Sequence, residues 1–323
     1  MVWLEKVQRT WLESFVIKVL QTGDIPKHVA FIMDGNRRYA DKLNLNRVDG
    51  HTHGFKKLSE VNIKVLMYFR NENSIWSHSC INDKTLMQKD DCSGISTHGR
   101  SSREKIDKYG ICVRVLGDIN LLPNDIQKAI ADVVLYSMHN NSLFINVCLA
   151  YTSQEEISTA ANEIAEAVSD GILKPEDVDE ELLDQCMYNS SEPDLLVRTS
   201  GEVRLSDFLL WQSSYSLLTF VKVLWPEYSI WHLFASIWSY QHSLKYIKAG
   251  REKHFEARKQ QTEREIYRHA ISALRDEELT EEKLQDYILK RKERINNFLC
   301  HLKHKRIRKL EEIKKNGEVN DDF

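Results

Sequence analysis

Five short runs of Val, Ile, Leu and Phe, at 28–33, 112–117, 144–150, 194–198 and 218–224, constrain this chain more than any other feature. Each reads as a short buried strand. Segments of helical composition separate them, at 50–62, 123–139, 152–170, 176–189, 205–216 and 230–246. Thr152-Ser153-Gln154-Glu155 reads as a capping-box start, and Gly171 is the matching stop. Strands alternating with helices predict an α/β fold with a single mostly parallel central sheet flanked by helices. Ligands of such sheets collect beyond the carboxyl ends of the strands.

Two of the runs end in charge. His28-Val29-Ala30-Phe31-Ile32 leads into Met33-Asp34-Gly35-Asn36-Arg37-Arg38, followed by helical composition from Arg38 to Leu43. Asp supplies a hard oxygen for a divalent cation, Arg supplies paired donors for phosphate oxygens, and the turn aims free backbone N–H groups outward. Taken alone, the same residues also fit a strand–turn–helix with a solvated arginine pair. The second cluster starts at Asp194-Leu195-Leu196-Val197-Arg198 and continues Thr199-Ser200-Gly201-Glu202-Val203-Arg204-Leu205-Ser206-Asp207. Arg198 and Arg204 flank its turn, and Ser206 is placed to cap or line the start of the helix expected at 205. That arrangement makes a second anion site able to hold a diphosphate, or else two surface arginines paired with Asp194 and Asp207.

Composition narrows the partners. With 323 residues the chain can bury a sizeable core, and a formal charge of −3 argues against bulk nucleic-acid binding. Six cysteines (80, 92, 112, 148, 186 and 300) have no framework spacing, which predicts reduced thiols in a cytosolic redox environment. No apolar run reaches about 18 residues, and Glu5, Lys6, Arg9 and Glu13 interrupt any signal-peptide core. Residues 3–20 gather Trp3, Leu4, Val7, Trp11, Leu12, Phe15, Val16, Val19 and Leu20 on one helical face, suited to docking on the core, to touching a membrane, or to both. From 247 onward charged residues dominate, predicting a long helical extension broken near Asp276 to Thr280. Such a helix is a solvated face or an oligomerisation element, and its basic run Lys303 to Lys309 offers contacts for anionic lipid or RNA. Expected domain limits are therefore 1–24, 25–246 and 247–323.

On Pro26 to Ala40, Gly50-His51 with Gly54, Val113 to Asp118, Arg198 to Gln212, and Leu224-Trp225-Pro226-Glu227-Tyr228, the chain is identified as a member of the cis-prenyltransferase family. The resemblance covers residues 1 to about 62 and 103 to about 250. It implies condensation of isopentenyl diphosphate onto farnesyl diphosphate, in cis, to give the long polyprenyl diphosphate used for dolichol synthesis and protein glycosylation. It also implies a peripheral enzyme on the cytosolic face of the endoplasmic reticulum membrane. Matching positions make Asp34 a catalytic Mg²⁺ ligand and place Asn36 near the reacting carbons. Gly35, Arg37, Arg38, Arg47 and His51 surround the allylic diphosphate, while Arg198, Arg204 and Ser206 hold isopentenyl diphosphate.

Two departures matter. Single-subunit bacterial members carry a glutamate where Leu217 stands, and the C-terminal residues 317–323 have no Arg-x-Gly tail. Both imply a Nogo-B-receptor-type accessory subunit, with the C-terminal helices building a higher oligomer. The second departure is the stretch 63–102, where the family's Phe-Ser-x-Glu-Asn-x-x-Arg motif survives at most as Glu72-Asn73. The segment reads as a mis-joined exon or a divergent insert, expected to be irregular and mobile and to leave the sheet one strand short or poorly covered on one side. His78, Cys80, Cys92 and His98 match no standard zinc spacing. A catalytically impaired isoform that only binds the accessory subunit is the alternative function.

Overall fold

The computed structural model describes residues 10–68, 74–79, 100–274 and 280–318. In chain order these form α1 (Trp11–Leu20), β1 (His28–Ile32), α2 (Asn36–Lys42), α3 (Arg47–Tyr68), β2 (Ser74–Ser79), α4 (Arg100–Tyr109) and β3 (Ile111–Leu116). There follow α5 (Asn124–Ser137), β4 (Leu143–Cys148), α6 (Ser153–Ser169), α7 (Glu180–Cys186), β5 (Leu195–Arg198), β6 (Leu217–Phe220), α8 (Ile230–Leu274) and α9 (Glu281–Glu318). All five strand pairings are parallel, in the order β3-β4-β2-β1-β5-β6. The five apolar runs supply β1, β3, β4, β5 and β6, although the last two runs give strands of only four residues.

The stretch 63–102 is not wholly irregular, which corrects the expectation of a missing strand. Residues 63–68 complete α3, 74–79 form β2 in the middle of the sheet, and α4 starts at Arg100. Ser77 of β2 is fully buried, yet its hydroxyl meets His28 Nε2 at 2.7 Å and accepts from Asn146 Nδ2 at 3.1 Å. Side-chain hydrogen bonds thus let polar residues occupy a central strand. The conjectured zinc residues Cys80, Cys92 and His98, and the Glu72-Asn73 remnant, lie outside the described residues.

A second correction falls at 205–216, where tight turns replace the expected helix. Ser206, Asp207 and Leu209 have φ of 50°, 59° and 47°, in the left-handed region that an α-helix cannot contain. Residues 176–189 also divide, into a 3₁₀ turn at Pro175–Asp177 and α7, whose N-cap Asp179 accepts from Leu182 N at 2.8 Å.

The chain groups into two compact units. The first comprises residues 1–153, 191–245 and 313–323, and the second 154–190 with 246–312. The expected limit at 246/247 therefore falls inside the 45-residue α8, and 154–190 group with the C-terminal extension rather than with the sheet. In the first unit the core runs from Val29, Phe31, Leu195 and Val197 to Trp225, Tyr228 and Leu233. Trp225 and Tyr228, both fully buried, pack on Phe31 with ring centroids 5.7 and 5.9 Å away. Thr10 and Glu13 form a capping box on α1, which buries Ile17 and Leu20 and leaves Trp11 80% and Phe15 59% exposed. Docking and an outward apolar face thus coexist in this helix; Trp3, Leu4 and Val7 lie outside the described residues.

In the second unit arginines of the extension tie it to 154–190. Arg294 grips the buried Asp177 through Nε and Nη2, each at 2.8 Å, and Arg291 meets Asp179 at 2.7 Å. Arg258 pairs with Asp184 at 2.8 Å, and Arg306 reaches Glu163 and the Cys186 carbonyl at 2.6 Å. Part of the basic run is consequently spent inside the protein. Among the described residues, no helix is long and apolar enough to cross a membrane.

Candidate active site

Asp34 follows β1 at the carboxyl end of the sheet, and Ile32 pairs with Arg198 across β1 and β5. That register brings the two charged clusters together. Arg198 Nη2 donates to Asp34 Oδ2 at 2.9 Å, and Arg38 Nη2 lies 3.6 Å from Oδ1. Burial alone would raise the Asp34 pKa, but the hydrogen bond from Arg198, the nearby Ser200 hydroxyl and the charges of Arg198 and Arg38 outweigh it, leaving the carboxyl below its ordinary value. Arg198 pairs with Asp34, and Arg204 pairs with Glu202 at 2.6 Å; neither takes the expected alternative partners. Asp194 instead accepts from the backbone N–H groups of Lys27 and His28, at 2.7 and 3.0 Å.

A cavity of about 420 Å³ opens over this turn, lined by Asp34, Gly35, Asn36, Arg37, Arg38, Arg47, His51 and Arg204, with Asp41 and Glu202. Eight of the ten residues expected at the site from sequence thus face one space. The other two stand differently. Arg198 is 3% exposed and does not line the cavity, while Nη1 donates to Ser206 Oγ at 2.7 Å and to the Arg204 carbonyl. Ser206 caps no helix, since none starts there.

Glycines shape the floor. Gly35 has φ of +104°, and a Cβ there would meet Leu224 Cδ2 at 2.8 Å. On α3, a Cβ on Gly54 would lie 2.4 Å from Asn36 Oδ1, so Gly54 is what allows the amide its place. Asn36 Oδ1 and His51 Nε2 are buried with no hydrogen-bond partner among the described residues, and both residues line the cavity. Buried polar atoms are rarely left unsatisfied, so these mark where a ligand belongs.

Mg²⁺ commonly takes one or two carboxylates plus substrate phosphates and water. One half-buried carboxylate facing an arginine-lined cavity fits that mode, and no group of three metal-ligating side chains exists among the described residues. Leu217 opens β6 opposite Leu195, at the amino end of the sheet and therefore away from Asp34. Reading the sequence did not single out Asp41, Thr199, Glu202 or Trp225. Thr199 and Glu202 lie within the quoted arginine motif and Trp225 in its own; Thr199 and Trp225 act on backbone atoms that residue type does not reveal, and Glu202 pairs with Arg204.

A family model described as putative undecaprenyl diphosphate synthase matches residues 32–247. The human dehydrodolichyl diphosphate synthase complex subunit is 42% identical, over 95% of this chain and 96% of its own. Isoprenyl transferase of Bacillus subtilis is 34% identical, over 71% of this chain and 90% of its own. The crystal structure of lavandulyl diphosphate synthase from Lavandula x intermedia, in complex with dimethylallyl diphosphate, superposes with a TM-score of 0.60. It is 27% identical and covers 67% of this chain and 95% of that one.

Proposed function

Since the chain belongs to the cis-prenyltransferase family, as a member of the undecaprenyl diphosphate synthase group, we propose that it is the catalytic subunit of a dehydrodolichyl diphosphate synthase. Its reaction joins C1 of farnesyl diphosphate to the terminal alkene carbon of isopentenyl diphosphate. The C1–oxygen bond breaks, a C–C bond forms, diphosphate leaves, and a proton departs to set a cis double bond. The observation that carries this reading is the cavity over Asp34, where four arginines surround two unpartnered buried polar atoms.

The chain's residues divide the work. Arg37, Arg38 and Arg47 offer positive charge where the departing diphosphate gains negative charge, and charge stabilisation of this kind is a large part of catalysis. Asn36 and His51 present unpaired polar atoms to the reacting end. Arg204, now on Glu202, would turn to the isopentenyl diphosphate, with Ser206 beside it. Arg198 acts from behind the wall, holding Asp34 and Ser206. Bound Mg²⁺, held by Asp34 together with substrate phosphates, supplies Lewis-acid neutralisation of the leaving group.

One carboxylate is a thin metal site, and Leu217 can add nothing to it, so a Nogo-B-receptor-type accessory subunit would complete the centre. The exposed Trp11 and Phe15 of α1 suit peripheral contact with the endoplasmic reticulum membrane from its cytosolic side. The charged C-terminal helices suit a higher oligomer. The impaired-isoform alternative is not favoured, because the similarity runs along 95% of the chain. The test is assay of the purified chain alone and co-purified with the accessory subunit. Little turnover alone and strong turnover together is expected; full turnover alone would end the heteromer reading.

A further inference from the structure

The residue after Arg198 does work that no charge reveals. Thr199 is fully buried, and its hydroxyl accepts from Asp34 N at 3.0 Å while donating to Asp34 O at 2.8 Å. One hydroxyl thus closes on both polar groups of one residue's backbone. Trp225 N gives the same carbonyl a second hydrogen bond at 3.0 Å, and Thr199 N donates to Ile32 O at 3.3 Å. Without the hydroxyl, the remaining partner for Asp34 N is Ile32 O, two residues back, in a three-residue closure of poor geometry. The neighbours of Thr199 serve the same turn: Arg198 holds the Asp34 carboxylate, and the Ser200 carbonyl accepts from Arg38. Three consecutive residues therefore address the carboxylate, the backbone and the adjacent arginine.

We propose that Thr199 is a positioning residue for the condensation, pinning the Asp34 backbone so that its carboxylate is held toward the cavity, where it would ligate a phosphate-bound divalent cation. This rests on the proposed role of Asp34 and adds the residue through which β5 enforces it. Catalytic groups must be held within a fraction of an ångström, and a carboxylate one methylene from a mobile backbone is not.

The experiment uses the full chain with its accessory subunit, as wild type, Thr199→Val and Thr199→Ser. Valine keeps the shape and removes the hydroxyl; serine keeps the hydroxyl. Amide hydrogen exchange should be about tenfold faster over 33–35 in the valine variant, unchanged at 29–31, and near wild type in the serine variant. Affinity for farnesyl thiodiphosphate, which does not ionise readily, is then measured with Mg²⁺ and with EDTA. The Mg²⁺-dependent gain in affinity should shrink roughly five- to tenfold in the valine variant, as for a lost hydrogen bond. It should return with serine, and the EDTA values should agree. Should valine not fold, the wild type still decides the pin: its Asp34 amide must exchange as slowly as the β1 strand. Exchange at 33–35 as fast as in an exposed turn, or a valine variant with an undiminished Mg²⁺ gain, would overturn the proposal. A wild type with no Mg²⁺ gain at all would instead overturn the metal role of Asp34, and the proposed role of Thr199 with it.

Discussion

Asp34 and Asp177 are each held by two arginines, in different units of the molecule, and they are not the same kind of site. Asp177 has a side chain that is 0% exposed, gripped by both nitrogens of the Arg294 fork, approached by Arg291, and capped by the Lys174 backbone N–H at 2.9 Å. Its hydrogen-bonding capacity is spent. Asp34 is 18% exposed, has one close partner and one at 3.6 Å, and shares its cavity with an amide oxygen and an imidazole nitrogen that bond to nothing among the described residues. Both carboxyls are shifted in the same direction, because in each case arginine donors outweigh the upward push of burial. Charge and pKa therefore cannot tell a tie from a site. What separates them is access: the Asp34 carboxylate opens onto the cavity, whereas that of Asp177 is closed off, although Arg291 Nε beside it is likewise buried without a hydrogen-bond partner among the described residues.

The sharpest way to break this contrast is to remove each carboxylate. Asp34→Ala should lower turnover about a thousandfold, the scale expected when transition-state charge loses its stabiliser, in a chain that still folds but melts lower, because the buried Arg198 loses its anion. Near-native turnover would mean that Asp34 touches neither metal nor diphosphate. Asp177→Ala should leave the chemistry intact and act on stability alone. Arg294 loses its carboxylate while Arg291 keeps Asp179, at a cost of roughly 1.5–3 kcal/mol, visible as a lower denaturant midpoint, while the surviving folded enzyme keeps its KM values. Loss of turnover at unchanged stability would make Asp177 part of a site.

A buried titratable group with no opposite charge sharpens the point. His28, held by Ser77 and Ser191, has its pKa pushed down from 6.5 to about 4, chiefly by burial. The unfolded chain takes a proton near 6.5 that the folded one refuses until about 4, so stability is full above 6.5 and falls as the pH drops. About 3 kcal/mol should vanish by pH 4 in denaturant titrations, and a His28→Gln variant should flatten that decline. The two aspartates, with folded pKa values below 3.8, withdraw their contribution only at lower pH still. A flat wild-type profile from 6.5 to 4 would contradict the neutral buried imidazole.

Smallest is the effect at the cavity rim. Arg204→Ala should raise the KM for isopentenyl diphosphate about ten- to a hundredfold, the worth of one charged hydrogen bond, and leave that for the allylic substrate nearly unchanged. Equal effects on both would dissolve the division of the cavity into two phosphate sites.

These contrasts also explain what could be read from the residues. Strands β1, β3, β4 and β5 were legible because burial on both faces demands nearly continuous apolar runs. Ser74-Ile75-Trp76-Ser77-His78-Ser79 was not, since Ser77 enters the sheet through side-chain hydrogen bonds to His28 and Asn146. Residues 205–216 misled in the other direction. Phe208, Leu209, Gln212 and Ser213 are buried at helix-like spacing, but positive φ at 206, 207 and 209 turns the chain into a loop. Asp34 and the arginines announced themselves by charge at strand ends, whereas Thr199 acts through backbone atoms and looks like any other buried hydroxyl.

The most direct measurement supplies the complex with labelled isopentenyl diphosphate and farnesyl diphosphate, with Mg²⁺ or with excess EDTA, and counts label in extracted lipid. The expected result is accumulation of long cis-polyprenyl chains with Mg²⁺ and none with EDTA. Undiminished incorporation in EDTA, or no incorporation by a folded complex with Mg²⁺, would contradict it.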